Sequence, residues 1–359
     1  MTAEPASAVP TEPFAGGRLT PIAMLRGVRV LAWSNETLYV SRGYTVERAV
    51  VRGDHIDWQP VGCWDAPLWR RLTSKFRLSH RLFRDGFHAL AVLPSGSLVG
   101  AVAGAIVTLA PGESSFRVAH EITRGTRPLH IAATPEGRLF WGEYFDNPER
   151  SAVHIYASED RGATWHIAHT FAKGEIRHVH NVVYDGWQNC LWILTGDYGA
   201  ECKILRVSCD LRKLDVVLSG NQQARAVALV PMEDGLYFSS DTPLEANHVY
   251  RLDRNGSLTT VAGLTSSSIY GCQVGRAVFF STMVEPSAVN RDPHVRLVSN
   301  VNRGDWRSLL AWKKDMWSMR LFQYGNAFLP DGRNTTPYLA FTTVAVEGAD
   351  LTTTILRIA

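Results

Sequence analysis

The stretch His88–Val102, HALAVLPSGSLVGAV, consists of two short aliphatic runs separated by the turn residues Pro94, Ser95 and Gly96. Short apolar runs on either side of such a turn predict a β-hairpin. The stretch His130–Tyr144, HIAATPEGRLFWGEY, repeats the arrangement and ends its second run on polar residues. A lone hairpin buries too little surface to be stable, so the fold depends on many copies stacking against one another.

Outward from these two stretches, the pattern occurs seven times along the chain. The copies begin at Val28, His88, His130, His180, Ala226, Tyr270 and Tyr324, at intervals of 42 to 60 residues. Four-stranded propeller blades repeat at about this spacing. Long amphipathic helices are nearly absent, which argues against an α/β fold, and residues 67–86 form a candidate helical insertion. We therefore predict an all-β seven-bladed β-propeller with four-stranded antiparallel blades over residues 19–359, after a disordered lead-in over residues 1–18.

Composition limits the classes of partner. The 359-residue chain has a net charge of +3, with 45% hydrophobic and 20% charged residues, so charge gives no reason to expect nucleic acid. No apolar run reaches the roughly 18 residues that a membrane helix needs. The N-terminus lacks the basic start and apolar core of a signal peptide, and the five cysteines form no CxxC pair. We expect a cytoplasmic protein with neither a nucleic-acid nor a membrane partner.

The octapeptide Ser158–Trp165, SEDRGATW, has the pattern S-x-D-x-G-x-T-W. It resembles the Asp-box of sialidase-like, BNR-repeat β-propellers, and the segments Ile176–Asp185 and Leu194–Asp197 are similar to bacterial proteins of that description. The resemblance implies that the box joins the third and fourth strands of a blade, on the face away from the active site. This chain has one full box, lacks the F/Y-R-I-P motif of sialidases and has seven copies where sialidases have six blades. The resemblance therefore implies an architecture and not sialidase activity.

Polar side chains occur at equivalent places in successive copies. In a propeller, residues before each first strand and after each second strand share one mouth of the central channel, where we predict the working site. Those before or early in first strands are Arg127, His130, Arg177, His178, His180, Arg225, Tyr270 and Tyr324. Those after second strands are Glu143, Tyr144, Asp197, Tyr198, Asp241 and Glu285.

The histidines of the fourth copy have three interpretations. His178 and His180 are two residues apart on a predicted strand, so they lie on one face. With His130 from the neighbouring blade they could bind a divalent metal, and related histidine constellations hold the metal in oligogalacturonate lyases, which are also seven-bladed propellers. Alternatively, one acts as a catalytic acid or base, or simply hydrogen-bonds to the channel wall.

The arginines have two interpretations. Arg127, Arg177 and Arg225 precede three successive first strands, and guanidinium groups bind carboxylates through paired hydrogen bonds. Their convergence favours an acidic saccharide, containing a uronic or nonulosonic acid, as the partner. Ion pairing with neighbouring carboxylates of the protein is the alternative.

The carboxylates and tyrosines of the mouth also admit two roles. Glycoside hydrolysis needs two carboxyl groups, one of them protonated, and the candidates are Glu143, Asp197, Asp241 and Glu285. Each could instead cap a turn or pair with an arginine. The tyrosines could stack on sugars, donate a proton to a leaving group or wall the channel, and they are Tyr144, Tyr198, Tyr270 and Tyr324.

The insertion, residues 67–86, carries six cationic side chains: Arg70, Arg71, Lys75, Arg77, Arg81 and Arg84. They could arch over the mouth and attract an acidic polymer, or form a solvated helix face.

Three functions remain open. The first is hydrolysis of a glycosidic bond in an acidic saccharide, with Glu143 and Asp197 as the acid–base pair. The second is β-elimination, in which Arg177, Arg225 or a metal neutralises a uronate, His178 or His180 takes the C5 proton and a tyrosine protonates the leaving oxygen. The third is a propeller that binds glycan or protein without catalysis.

Overall fold

The computed structural model describes residues 19–53, 56–301 and 305–358, so the predicted lead-in, residues 1–18, lies outside the described residues. The strands are, in chain order, β1 (Leu19–Arg26), β2 (Arg29–Asn35), β3 (Thr37–Arg42), β4 (Thr45–Val50), β5 (Gln59–Trp64), β6 (Ala89–Val92), β7 (Leu98–Val102), β8 (Ala105–Leu109), β9 (Ser115–Glu121), β10 (Ala132–Ala133), β11 (Leu139–Gly142), β12 (Val153–Ser158), β13 (His166–Phe171), β14 (His178–Asp185), β15 (Cys190–Gly196), β16 (Lys203–Ser208), β17 (Leu214–Ser219), β18 (Ala226–Met232), β19 (Gly235–Ser240), β20 (Asn247–Asp253), β21 (Leu258–Leu264), β22 (Ser268–Val274), β23 (Ala277–Thr282), β24 (His294–Ser299), β25 (Arg307–Lys313), β26 (Asn326–Phe328), β27 (Asp331–Asn334), β28 (Tyr338–Val344) and β29 (Thr352–Ile358). The α-helices are α1 (Leu68–Thr73), α2 (Arg77–Phe83) and α3 (Met319–Phe322).

The strands form antiparallel units of four. Four sheets use consecutive strands, namely β10–β13, β14–β17, β18–β21 and β22–β25, and a fifth has the order β1-β29-β28-β26. A nine-stranded sheet has the order β27-β2-β3-β4-β5-β9-β8-β7-β6. It contains two further four-stranded antiparallel units, β2–β5 and β6–β9, joined by a short parallel pairing of β5 with β9.

The sequence repeats coincide with the first two strands of these units. The hydrogen-bonded pairs are β2 with β3, β6 with β7, β10 with β11, β14 with β15, β18 with β19, β22 with β23, and β26 with β28. The insertion over residues 67–86 contains α1 and α2. The prediction of an all-β propeller is confirmed.

The hydrophobic core lies between neighbouring units. Phe140 and Ile155 of one unit, for example, pack against Val182 and Ile193 of the next. Comparable clusters join each remaining pair of neighbours, and one of them packs β26, β28 and β29 against β2 and β3. β1, at the start of the described chain, pairs with β29 at its end. The units therefore form a closed ring in which each one buries both faces.

Strand β27 was predicted as part of the last hairpin and lies elsewhere. It pairs in parallel with β2, where Gly332 is opposite Trp33, and it also contacts β6 and β22. These three strands belong to different units, so β27 lies inside the ring of first strands. Gly332 has a φ of +83°, and a Cβ there would lie 2.2 Å from the carbonyl oxygen of Trp33. Only glycine allows this close approach.

The octapeptide Ser158–Trp165 connects β12 with β13, the third and fourth strands of their sheet. Asp160 Oδ1 accepts hydrogen bonds from Ser158 Oγ at 2.8 Å and from the Thr164 backbone N–H at 2.9 Å. Trp165 packs against the cluster between this unit and β6–β9. The motif therefore stabilises a turn and an interface between units.

Candidate functional site

Backbone hydrogen bonds bring the beginnings of first strands next to the ends of second strands. Asp241 N–H donates to the Arg225 carbonyl within one unit, and Val179 N–H donates to the Glu143 carbonyl of the neighbouring unit, both at 2.9 Å. Residues that are far apart in the sequence therefore meet at one mouth of the channel.

His178, His180 and Asp197 form the centre of this mouth. All three are buried, and their potential ligand atoms lie within 4.8 Å of one another. His180 is the extra residue of a β-bulge in β14, and Gly196 leaves room for its ring, since a Cβ there would lie 2.6 Å from His180 Cε1. Bulges of this kind redirect side chains at functional sites.

Imidazole and guanidinium groups approach both oxygens of Asp197. Its Oδ1 lies 3.1 Å from His180 Nε2, 3.4 Å from His178 Nε2 and 3.4 Å from Arg225 Nη2, and its Oδ2 lies 3.4 Å from Arg177 Nη1. Burial alone would raise the pKa of Asp197, but interactions with His178 and His180 hold that pKa well below its usual value. The lowered pKa favours the anionic form of Asp197, which does not suit a proton donor.

Two of the predicted carboxylate-binding arginines already pair with carboxylates of the protein. Arg177 pairs with Asp146 as well as Asp197, and Arg225 lies 3.7 Å from Asp241. Of the two interpretations given for these arginines, ion pairing describes Arg177 and Arg225.

Arg127 differs from these two arginines. It has neither an ion pair nor a hydrogen bond with any side chain among the described residues, although it lies deep in the mouth. Burial, followed by the positive charges of Arg29 and Arg84, lowers the pKa of Arg127 to about 9. Arg29 stacks over the Phe328 ring at 3.7 Å and donates to the His88 carbonyl. These cations form a basic side of the mouth that lacks a protein anion next to Arg127.

The opposite side of the mouth is acidic. Burial and the charge of Asp241 raise the pKa of Glu285. Burial, together with Asp241 and Asp197, also raises the pKa of Tyr144 to about 12, although 37% of this side chain remains exposed. Tyr144 therefore lies among charged side chains of the mouth and is still accessible to solvent.

The other predicted tyrosines connect these two sides. Burial is the main cause that raises the pKa of Tyr324. The charge of Glu285 raises this pKa further, and the charge of Arg84 lowers it, so the hydroxyl lies near both residues. The guanidinium of Arg225 lies 5.6 Å from the centre of the Tyr198 ring. Tyr270 packs beside His130 with their ring centres 6.0 Å apart.

Two predicted residues have other partners. Glu143 forms a two-point ion pair with Arg124 and accepts a hydrogen bond from the His154 N–H, so its carboxylate turns into its own sheet and away from Asp197. The acid–base pair expected from Glu143 and Asp197 is therefore not assembled. His130 Nδ1 lies 3.0 Å from Asp331 Oδ1 on β27, and Asp197 takes the third position beside His178 and His180. The histidine trio expected as a metal site is replaced by two histidines and a carboxylate.

The sequence analysis missed Arg29, Arg84 and Asp331. Arg29 begins the first strand β2 and so follows the same positional rule as Arg225, which means that the rule could have found it. Arg84 and Asp331 lie on the insertion and on β27, where no repeat pattern marks their positions.

The insertion forms one rim of the mouth. Gln323 beside α3 donates to the Arg81 carbonyl of α2, and Arg84 follows α2 directly. Large apolar side chains are exposed on both segments, namely Leu68, Trp69, Leu72, Phe76, Met316 and Leu321. Among the described residues, no helix is long and apolar enough to cross a membrane.

Comparison with solved structures finds propellers of low sequence identity. The WD40 β-propeller domain of Doa1 matches with a TM-score of 0.54 and 12% identity, over 95% of this chain and 97% of that chain. A chain of a mitotic checkpoint complex matches with a TM-score of 0.55 and 12% identity, over 99% of both chains. No family model matches this sequence, and no curated protein matches it either. The similarity supports a β-propeller fold and carries no information on chemistry.

Proposed function

We propose that this protein is a seven-bladed, sialidase-like propeller that hydrolyses a glycosidic bond in an acidic saccharide. The seven units of four strands and the closed series of clusters between them support the number of blades. The turn at Ser158–Trp165 supports the sialidase-like part of the proposal.

The observation that carries the proposal is the pair Glu285 and Asp241 opposite a free guanidinium. Burial and Asp241 favour the protonated form of Glu285, which suits a general acid that protonates the leaving oxygen. Asp241 is the second carboxylate and acts as the base or nucleophile on the sugar. Asp197 contacts two histidines and two arginines and keeps these residues in place.

Arg127 provides the specificity for an acidic sugar. A half-buried guanidinium without a protein anion is costly, and a carboxylate ligand offsets that cost through paired hydrogen bonds. Arg29 and Arg84 add positive charge at the same side. The substrate carboxylate therefore lies on Arg127 and its glycosidic bond lies towards Glu285, with the sugar ring against Tyr144 or Tyr324.

Saccharides that contain uronic or nonulosonic acids test the proposal through the release of new reducing ends. Glu285→Gln keeps the shape of the side chain but removes the proton donor, so kcat should fall by about 10²- to 10⁴-fold. Glu233→Gln is the matched control, because Glu233 lies in the exposed turn between β18 and β19 at the other end of these strands. Equal rates for Glu285→Gln and the control would refute the assignment of the acid.

The role of Arg127 has its own test. Arg127→Ala should raise KM for the acidic saccharide by about 10- to 100-fold, since one charged hydrogen-bonded pair is lost. The same substrate with its carboxylate reduced to an alcohol should bind wild type and variant alike. A uniform loss on both substrates would show a structural role for Arg127.

One observation favours β-elimination as a second candidate. Burial lowers the pKa of His178, and its Nε2 has no hydrogen-bond partner among the described residues. A neutral imidazole can take the C5 proton of a uronate, while Tyr144, whose ring centre lies 4.5 Å from that of His178, protonates the leaving oxygen. Elimination creates a C4–C5 double bond that absorbs ultraviolet light, whereas hydrolysis does not. Binding of the saccharide with neither product would instead support a non-catalytic propeller.

A further inference from the structure

The two buried histidines present their ring nitrogens in a defined way. His178 Nδ1 lies 3.1 Å from the Phe145 carbonyl oxygen, and His180 Nδ1 lies 2.9 Å from the Ala226 carbonyl oxygen. A carbonyl oxygen can only accept, so both Nδ1 atoms carry a hydrogen. In the neutral rings, the lone pair therefore lies on Nε2. Histidines that bind metals are held by the same kind of hydrogen bond.

Both Nε2 atoms face the same carboxylate oxygen. They lie 3.4 Å and 3.1 Å from Asp197 Oδ1. Two nitrogen lone pairs directed at a carboxylate oxygen repel it unless a proton or a metal ion lies between them, and the 3.1 Å contact of His180 has the length of a hydrogen bond. For His178 Nε2, no hydrogen-bond partner exists among the described residues. The cluster therefore has a position for a cation.

Two of the three spacings between these atoms fit a metal ion. Bonds of about 2.0–2.2 Å separate neighbouring ligands by about 3.0–3.5 Å in octahedral or tetrahedral geometry. The two distances to Asp197 Oδ1 fall within this range. Two imidazoles and one carboxylate on one side of an ion leave its other positions open, and this ligand set suits divalent zinc, iron or manganese.

The surrounding charges are compatible with a dication. Arg177 and Arg225 each have a second carboxylate partner, Asp146 and Asp241 respectively. The two guanidiniums therefore share three carboxylates, Asp146, Asp197 and Asp241, which leaves one negative charge in excess. That excess favours a cation in the cluster.

We infer that His178, His180 and Asp197 bind one divalent transition-metal ion at the mouth of the channel. The inference rests on the ligand geometry and is independent of the hydrolytic function proposed above. A bound ion would occupy His178 Nε2, so that this residue could not act as the base of an elimination. The ring of Tyr144, whose centre lies 4.5 Å from that of His178, would border the bound ion.

Metal stoichiometry tests the inference without an activity assay. The full-length protein is treated with a chelator, dialysed against Zn²⁺ and analysed for bound metal, and Co²⁺ is added separately for its visible absorption. Wild type should bind one equivalent, and His178→Ala and Asp197→Asn should each weaken binding at least tenfold. His130→Ala is the matched control and should bind like wild type, because His130 pairs with Asp331 outside the cluster.

Circular dichroism of the metal-free variants shows whether they are folded, and His180→Gln replaces any variant that is not. A wild type that binds no Zn²⁺ or Co²⁺, or variants that bind as tightly as wild type, would overturn the inference. Saccharide cleavage is measured separately with stripped and metal-loaded protein. Cleavage by a protein that binds no metal would refute only the metal site. One bound equivalent of metal without any cleavage would refute only the proposed function.

Discussion

Glu285 and Asp197 are carboxylates in one mouth whose pKa values are shifted in opposite directions. Asp197 is surrounded by imidazoles and guanidiniums, whereas Glu285 is buried near the negative charge of Asp241. We predict that the Glu285 carboxyl titrates above its ordinary value of 4.5. Its protonated form then persists to higher pH than that of a free glutamate. The rate of a step that needs Glu285 as the acid should therefore also be maintained to higher pH.

Carbon-13 NMR of labelled glutamate side chains measures this titration, with Glu285→Gln to assign the signal. Asp241→Asn removes the nearby negative charge, so the pKa of Glu285 should move down in that variant. Asp234→Asn is the control, because Asp234 lies in the exposed turn between β18 and β19. A Glu285 pKa at or below the ordinary value, or one unmoved by Asp241→Asn, would contradict the assignment.

For single residues, the sequence predicted the position in the fold better than the direction of the side chain. The repeat shows that Glu143 and Asp241 both follow second strands, and backbone hydrogen bonds hold both positions at the mouth. It does not show that Arg124, in an irregular loop, turns the Glu143 side chain away. Nor could it pair His130 with Asp331, which lies 201 positions further along the chain. Side-chain direction depends on partners that follow no repeat.

Helix α2 of the insertion is attached to the ring by one buried cation. Arg81 is fully buried, lies 3.1 Å from Asp350 and donates from Nε to the Phe322 carbonyl at 2.8 Å. Arg81→Ala removes the buried cation that pairs with both Asp315 and Asp350, so unfolding in urea should show a loss of about 3–5 kcal/mol. Arg77→Ala is the control, since Arg77 pairs with the same Asp350 from a 54% exposed position and should cost less than about 1 kcal/mol. Equal losses would show that Arg81 does not anchor the helix.

Strand β27 depends on a single glycine. Gly332 combines a φ of +83° with a position where a Cβ would lie 2.2 Å from a backbone oxygen. Gly348 also has a positive φ, +74°, but has open space around it. Gly348→Ala should therefore cost about 1–2 kcal/mol from backbone strain alone, and Gly332→Ala should exceed it by about 1–3 kcal/mol. Equal urea midpoints for the two variants would show that β27 can move away from β2.

The sequence predicted the hairpins but not this strand. Turn residues and alternating apolar runs are local signals, and they identified the first two strands of each unit. The seventh copy, which begins at Tyr324, was interpreted as an ordinary hairpin. The position of β27 depends on the space inside the ring. That space exists only when the first strands of the units have assembled around it.

At the scale of the whole molecule, the repeat predicted the ring because each unit needs two neighbours to bury its faces. The pairing that closes the ring has no such signal, since β1 precedes the first repeat and carries no turn motif. It pairs with β29 from Leu19 with Ile358 to Arg26 with Thr352. The closing unit is therefore built from both ends of the described chain.

Ring closure predicts that a covalent link between β1 and β29 stabilises every unit at once. Thr20 lies opposite Arg357, and both side chains are exposed. A Thr20→Cys and Arg357→Cys disulfide, in a Cys63→Ser background because Cys63 is exposed, closes a loop of nearly the whole chain and should add about 2–4 kcal/mol. The reduced form of the same variant is the control, and the oxidised form should unfold more slowly in urea as one cooperative transition. If both forms unfold at the same rate, β1 opens without affecting the ring, and closure is not what holds the units together.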